Sequence, residues 1–260
     1  NPCRRCNQHI KFDHLLRRAQ ELGADKVVTG HYARVRHDEA ANTHRLLRGL
    51  DQSKDQSYVL ASLTQEQLSQ TLFPIGELAK SDVRRLAHEL GLSSVADKPE
   101  SQDLCFIPDG DTAGFLRKNL PNAEQPGEIV ESDGTRLGEH QGLGYYTVGQ
   151  RKGLGIATGK PRYVLELRVA DNQLVVGDPD ELLRSQMEVE ELNWIQQVPE
   201  RAWVKYRHQT PGADATLSLG AQDRMVVSFD SPQRALTPGQ VSVFYDGDEV
   251  LGGGTIASIL

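Results

Sequence analysis

The sequence predicts an α/β region followed by two β-rich regions, and three observations predict it. Residues 9–22 carry Ile10, Leu15, Leu16, Ala19 and Leu22 at near-helical spacing before Gly23, and Asp25–Tyr32 then reads as a short buried strand ending at Gly30-His31. A helix feeding a strand that ends in Gly-His is the grammar of a parallel α/β sheet, in which ligands sit at the carboxyl ends of strands. From about residue 120 the composition shifts to glycine, turn pairs and short β-branched runs. Runs such as Tyr163–Val169, Leu174–Val176, Ala202–Tyr206, Ala215–Leu219, Met225–Phe229 and Val241–Tyr245 then recur at the short spacing of a barrel. We therefore place an α/β part at 1–107, a small central β-rich part at 108–168 and a C-terminal β-barrel at 169–260.

The remaining elements follow from local signals. Val35–His37 and Arg45–Leu50 read as a hairpin around the polar loop 38–44. Thr64 opens a Thr-x-x-Gln capping box before a short helix. Ser81 reads as the cap of a second helix that stops at Gly91, with Val83, Leu86, Ala87 and Leu90 on one stripe. Asp133-Gly134 and Asp246-Gly247 are hairpin turns. Gly252-Gly253-Gly254 marks a place where backbone packs closely or turns.

Charge narrows the partners. Lys and Arg total 29 against 36 Asp and Glu, a net charge of −7, which argues against a protein that coats nucleic acid indiscriminately and leaves room for a local basic surface that grips one RNA. No DNA partner is expected, and no membrane partner either, since no run approaches the roughly 20 apolar residues that span a bilayer. The chain opens on Asn1-Pro2 with no methionine, and we read it as a piece whose upstream part is missing. Three cysteines in 260 residues make no disulfide framework, which suits a reducing cytoplasm.

Those cysteines carry the chemistry to be weighed. Cys3-x-x-Cys6 reads as a zinc half-site, as a redox pair, or as one reactive thiol beside a bystander, with Arg4 and Arg5 placed to favour thiolate. Cys105, flanked by Leu104, Phe106 and Ile107, reads as a small buried hydrophobe, while the polar approach Ser101-Gln102-Asp103 makes a reactive loop thiol the alternative. Gly149-Gln-Arg-Lys-Gly153-Leu-Gly155 matches no phosphate-loop signature, yet as a glycine-rich turn it displays Arg151 and Lys152 to RNA phosphates. Lys54-Asp55-Gln56-Ser57-Tyr58 and Lys205-Tyr206-Arg207 mix cations with aromatics, as RNA contact through charge and stacking requires. Histidines 37, 44 and 88 read as surface residues.

Taken in order, these segments resemble the bacterial tRNA-specific 2-thiouridylases. The resemblance rests on Asn1-Pro2 with Cys6-Asn7 and Ile10-Lys11-Phe12, Thr29-Gly-His-Tyr-Ala33, Lys54-Asp-Gln-Ser-Tyr58, Phe73-Pro-Ile-Gly76 and Ser101-Gln-Asp-Leu-Cys105-Phe-Ile-Pro108. It continues through Gly138-Glu-His-Gln-Gly142, Tyr146-Thr-Val-Gly-Gln-Arg-Lys-Gly-Leu-Gly-Ile156, Pro238-Gly-Gln240 and Leu251-Gly-Gly-Gly254, and covers essentially the whole chain.

The resemblance implies an α/β part that is the C-terminal portion of an adenine nucleotide hydrolase-like domain, and an enzyme that uses ATP with Mg to adenylate the C2 oxygen of the wobble uridine and then replaces that oxygen with sulfur. Sulfur would arrive as a persulfide on Cys105, handed on by a sulfur-relay carrier or a cysteine desulfurase. Cys6 would be the nucleophile working with it, the two ending as a transient disulfide. The resemblance assigns Gly30 to nucleotide binding. It assigns Asn1, Pro2, Cys3, His31, Lys54, Asp55, Gln56, Lys205, Tyr206 and Gln240 to the tRNA anticodon arm; beyond the Mg that accompanies ATP, no tightly bound metal is expected. Two departures stand out: Cys3 occupies a position where the family often has Asp, and the family's Ser-Gly-Gly-x-Asp-Ser pyrophosphate loop does not occur in these residues. This chain alone is therefore expected to bind ATP poorly. A non-catalytic tRNA-binding module and a zinc-stabilised CxxC domain are the alternatives.

Overall fold

The computed structural model describes residues 2–97, 107, 110–120, 124–208 and 210–260. Asn1 and Cys105, both singled out above, lie outside the described residues. The chain forms two compact units, one of residues 1–100, 186–230 and 238–260, the other of 101–185 and 231–237.

The first unit opens on one continuous helical run: α1 (Pro2–Arg5), a π-helical stretch over Cys6–His14, and α2 (Leu15–Glu21). It ends at Gly23, which adopts φ +80°. The run is longer than the sequence pattern suggested, and its apolar face is different. Phe12 and Leu16 turn inward, while Ile10, Leu15 and Leu22 are exposed. A π-helix advances by i→i+5 hydrogen bonds, so the 3.6-residue spacing used to read the pattern does not hold across it. The buried strand expected at 25–32 is only β1 (Val27–Val28); Gly30 and His31 lie just past its carboxyl end.

β2 (Ala33–Asp38) and β3 (Thr43–Arg48) make the expected hairpin, turning through Asn42 at φ +51°. Thr64 caps α3 (Gln65–Ser69) with the full capping box. β4 (Thr71–Leu72) then pairs parallel with β1. α4 (Lys80–Glu89) starts one residue before Ser81, with Ala79 at the cap position. Its cap is a carboxylate from another loop: the Lys80 amide donates to Asp51 at 3.0 Å. Its expected apolar stripe is not buried among the described residues, and Leu90 is exposed. α5 (Ser93–Ala96) follows.

In the second unit Asp111 caps α6 (Thr112–Asn119) by accepting from the Gly114 amide at 2.8 Å. β5 (Gly127–Glu131), β6 (Arg136–His140), β7 (Tyr163–Arg168) and β8 (Gln173–Gly177) form a sheet in the order β6-β5-β8-β7, with β5 and β8 parallel. β8, which composition assigned to the barrel, thus completes the central sheet. Its side chains Leu174 and Val176 join Ile129, Leu154 and Val164 in the core of that sheet. His140 explains part of the Gly138–Gly142 motif: its Nδ1 accepts from the Gly142 amide at 3.0 Å and its Nε2 faces the Asn172 carbonyl at 3.1 Å.

The C-terminal strands are β9 (Leu183–Trp194), β10 (Arg201–Lys205), β11 (Ala213–Leu219), β12 (Met225–Arg234), β13 (Val241–Asp246) and β14 (Glu249–Ile259). They run in the order β13-β10-β11-β12-β9-β14, and pairing of β13 with β14 closes a six-stranded barrel. β3 also pairs with β14, so the β2–β3 hairpin extends the barrel sheet. One core joins the two ends of the chain: Phe12, Ala33, Leu46, Tyr58, Leu60 and Leu63 pack with Val241, Val243, Tyr245 and Val250.

The triple glycine of β14 is a close approach of backbones. A Cβ at Gly252 would meet the Asn193 carbonyl oxygen at 2.5 Å, at Gly253 the Ser242 carbonyl oxygen at 2.8 Å, and at Gly254 Val189 Cγ1 at 2.5 Å. No helix among the described residues is long and apolar enough to cross a membrane.

Candidate active site

The turn that precedes Cys6 is fastened to the barrel. Arg4 is buried and donates to Thr255 Oγ1 at 2.9 Å and to the Glu191 carbonyl at 3.4 Å. Arg5 donates to both carboxylate oxygens of Glu191, at 2.8 and 2.9 Å. Thr255 closes the ring by donating to Glu191 Oε2 at 2.9 Å. These hydrogen bonds, Arg5 first, hold the Glu191 carboxyl below the usual carboxylate range. Glu191 itself sits at φ +49°, a left-handed conformation that L residues rarely adopt. The sequence read Arg4 and Arg5 as stabilisers of the Cys6 thiolate; the structure directs both at Glu191, the buried Arg4 because its guanidinium needs an anion within reach and the exposed Arg5 through a surface ion pair.

Cys6 is half-buried at the first residue of the π-helical stretch, and Cys3 is exposed one turn earlier. π-helical segments are uncommon and cluster at functional sites. Two further contacts fix this one. Asn7 is buried and donates from Nδ2 to the Val59 carbonyl at 3.3 Å. Gln67, already part of the α3 capping box, donates from Nε2 to the Phe12 carbonyl at 2.7 Å.

Phe12 brings the helix to His31. The Phe12, His31 and Phe73 rings form a mutual cluster with centroids 5.8–6.1 Å apart. Burial, aided by the charge of Lys11, lowers the His31 pKa to about 4, so its ring is neutral at physiological pH. Nδ1 lies 2.8 Å from Thr29 Oγ1. Gly30, beside it, is exposed, and a Cβ there would meet only Ile75 Cδ1 at 3.8 Å. Among the described residues the carboxyl end of β1 is therefore uncovered at Gly30, the end of a strand where ligands sit in a parallel sheet.

The Lys54–Tyr58 segment meets this group from the other side. Tyr32 and Gln56 exchange two hydrogen bonds, amide to Gln56 Oε1 at 3.0 Å and Gln56 amide to the Tyr32 carbonyl at 2.9 Å. Asp55 accepts from the Gly49 and Ser57 amides and from Ser57 Oγ, at 2.9–3.1 Å. Asp55 and Gln56 thus brace loops, a role that residue type alone did not reveal. Lys205 Nζ lies 5.8 Å from the Tyr58 ring centroid, and Tyr58 donates to the Val241 carbonyl at 2.7 Å, next to Gln240. Tyr206, expected as an exposed stacking surface, is buried against Phe229. In the other unit Arg151 and Lys152 are exposed, on a loop braced by Gln150 accepting from the Thr147 amide at 3.1 Å and donating to the Lys152 carbonyl at 2.9 Å.

The structure therefore gathers Cys6, Gly30, His31, Lys54, Asp55, Gln56, Lys205 and Gln240 in one unit. Glu191 and Thr255 were missed; nothing in their local sequence marks them. Among the described residues no three His, Cys, Asp or Glu side chains converge so as to hold a metal ion.

A cysteine on a helix clamped between an α/β sheet end and a β-barrel fits a tRNA-modifying protein of three parts, and the comparisons define that class. Residues 1–109 match the family described as the tRNA methyl transferase HUP domain, residues 113–178 the tRNA methyl transferase PRC-barrel domain, and residues 184–256 the aminomethyltransferase beta-barrel domain. The chain is 50% identical to the tRNA-specific 2-thiouridylase MnmA of Solibacter usitatus over 98% of its own length and 72% of that protein's. It is 47% identical to that of Carboxydothermus hydrogenoformans, covering 98% and 71%, and 49% identical to that of Heliobacterium modesticaldum, covering 98% and 68%. The chain belongs to the tRNA-specific 2-thiouridylase family.

Proposed function

We propose that this chain is a tRNA-uridine 2-sulfurtransferase acting on the wobble uridine, with Cys6 as the nucleophile. The observation that carries the reading is the clamped helix: a half-buried cysteine held by Arg4, Arg5, Asn7 and Phe12 within the same unit as His31 and the Lys54–Gln56 segment. We favour the relatives' name over the methyl transferase label of the domain families because the relatives match 98% of the chain at once.

ATP is the co-substrate the family implies, and it would supply the adenylate that makes the uridine oxygen a leaving group. The exposed Gly30 at the carboxyl end of β1 fits a nucleotide, which would bind together with Mg. Cys105 would carry the incoming sulfur as a persulfide delivered by a relay carrier or desulfurase. Its terminal sulfur would attack C2, and the C2–O bond would break as AMP leaves with the former uridine oxygen. The Cys6 thiolate then attacks the Cys105 Sγ, breaking the S–S bond, leaving sulfur on C2 and a Cys6–Cys105 disulfide that a thiol reductant reopens. A neutral His31 contributes shape and a hydrogen bond to the RNA rather than charge. Cys3, exposed beside the site, is a bystander in this scheme.

The test joins the chain to the part of the Solibacter relative that lies outside the 72% it matches, in a host deprived of its own 2-thiouridylase. Nucleoside mass spectrometry should find 2-thiouridine restored, and absent with Cys6→Ser or Cys105→Ser. Thiolation that survives both substitutions would overturn the assignment.

A further inference from the structure

Arg48 ends β3 and is absent from every motif considered so far. Its guanidinium carbon lies 4.4 Å from the Trp203 ring centroid and 4.2 Å from that of Tyr245. Its Nε is buried with no hydrogen-bond partner among the described residues. Trp203 and Tyr245 are themselves packed edge to face, 5.5 Å apart. The two rings fix the position of the cation, and among the described residues its outer N–H donors meet no carboxylate. That is how an anion ligand is preorganised.

The neighbours have the same character. Lys205 lies over Tyr58, and the ring of His208 packs on the opposite partner of that contact, 5.8 Å from Tyr58. The carboxylate that acts on Lys205, His208 and Tyr245 is Asp55, whose oxygens already accept from Gly49 and Ser57. Burial first, then the charge of Arg48, disfavours the Lys205 ammonium; burial and Lys205 disfavour the His208 imidazolium. Arg48 and Lys205 repel one another here, Asp55 offsets that repulsion in part, and an arriving anion would relieve more of it.

We propose that Arg48 is a phosphate ligand of the bound RNA, the fixed centre of a pocket completed by Lys205 and His208. The inference rests on the tRNA reading above. A phosphodiester suits it better than a free base, because the Arg48 fork is pinned face-on by the rings and offers only its N–H edge.

The experiment is anisotropy with a fluorescent anticodon stem–loop RNA across a KCl series, using the whole chain and the variants Arg48→Gln and Arg48→Lys, with thermal melts to verify folding. Each phosphate contact contributes about 0.7–0.9 to the slope of log Kobs against log salt. Arg48→Gln should weaken binding about tenfold and reduce the slope by close to one contact, whereas Arg48→Lys should keep the slope and lose affinity. A folded Arg48→Gln with the wild-type affinity and slope overturns the proposal. If that variant does not fold, Arg48→Lys binding as tightly as wild type overturns it. Salt-independent or absent binding by the wild type would instead remove the tRNA reading and this proposal with it.

Discussion

Arg5 donates two hydrogen bonds to Glu191, at 2.8 and 2.9 Å, and so fastens the turn before Cys6 to strand β9 of the barrel. Two parts of the chain separated by more than half its length are joined at the residue pair next to the proposed nucleophile. Arg4 makes the junction costly to break, since its side chain is buried and Glu191 is its counter-charge. Glu191→Ala should therefore destabilise the chain by roughly 2 kcal/mol, the exposed Arg5 contact adding little and the loss of a carboxylate beside the buried Arg4 most. Urea denaturation measures it. The same variant should make Cys6 alkylate faster, as the helix start loosens; unchanged stability and alkylation rate would show the clamp to be inert.

His31 gives a pH signature. Its folded pKa of about 4 lies below the ordinary 6.5, so the unfolded chain takes up the proton first as pH falls. Stability from this group is complete above about 6.5, declines as pH drops toward 4, and is level below that. The full effect is about 3 kcal/mol. His31→Phe keeps a ring between Phe12 and Phe73 and should flatten this limb. Urea midpoints at pH 7 and pH 4.5 should differ less in the variant than in the wild type; an equal difference would place the titration elsewhere.

Gly76 and Gly30 form a contrasting pair. A Cβ at Gly76 would sit 1.7 Å from the Ala33 carbonyl oxygen, against backbone that cannot yield, whereas at Gly30 it meets only a side-chain methyl at 3.8 Å. Gly76→Ala should cost at least 3 kcal/mol or prevent folding. Gly30→Ala should melt within about 0.5 kcal/mol of wild type and act, if anywhere, on nucleotide affinity. Thermal melts of the two variants decide it.

Asp55 carries a further expectation. It accepts three hydrogen bonds that fix the loop between β3 and Tyr58. Asp55→Ala should lose roughly 1–3 kcal/mol because two backbone amides and a buried serine lose their acceptor. If Asp55 served RNA contact alone, RNA affinity would fall with stability untouched.

Much of this architecture was legible in the sequence, and the parts that were not have physical reasons. The β2–β3 hairpin, the Thr64 capping box and the two Asp-Gly turns are local devices, and local patterns announce them. β9 escaped because its polar alternation Arg-Ser-Gln-Met-Glu-Val-Glu lacks β-branched runs, and β14 because its three glycines look like a turn. The α4 cap was misplaced because Asp51 supplies it from outside the helix. At the site, Cys6, His31 and Lys205 were visible by chemical type. Glu191 and Arg48 act only through partners far away in sequence, and no spacing rule reaches across that gap.

The central claim is that Cys105 carries the sulfur and Cys6 resolves it. The most direct measurement is peptide mass mapping after loading the chain with persulfide from a cysteine desulfurase relay. The account predicts one added sulfur on the peptide containing Cys105, lost in Cys105→Ser and retained on that peptide in Cys6→Ser. Equal labelling of Cys3, Cys6 and Cys105, or labelling that survives Cys105→Ser unchanged, would contradict it.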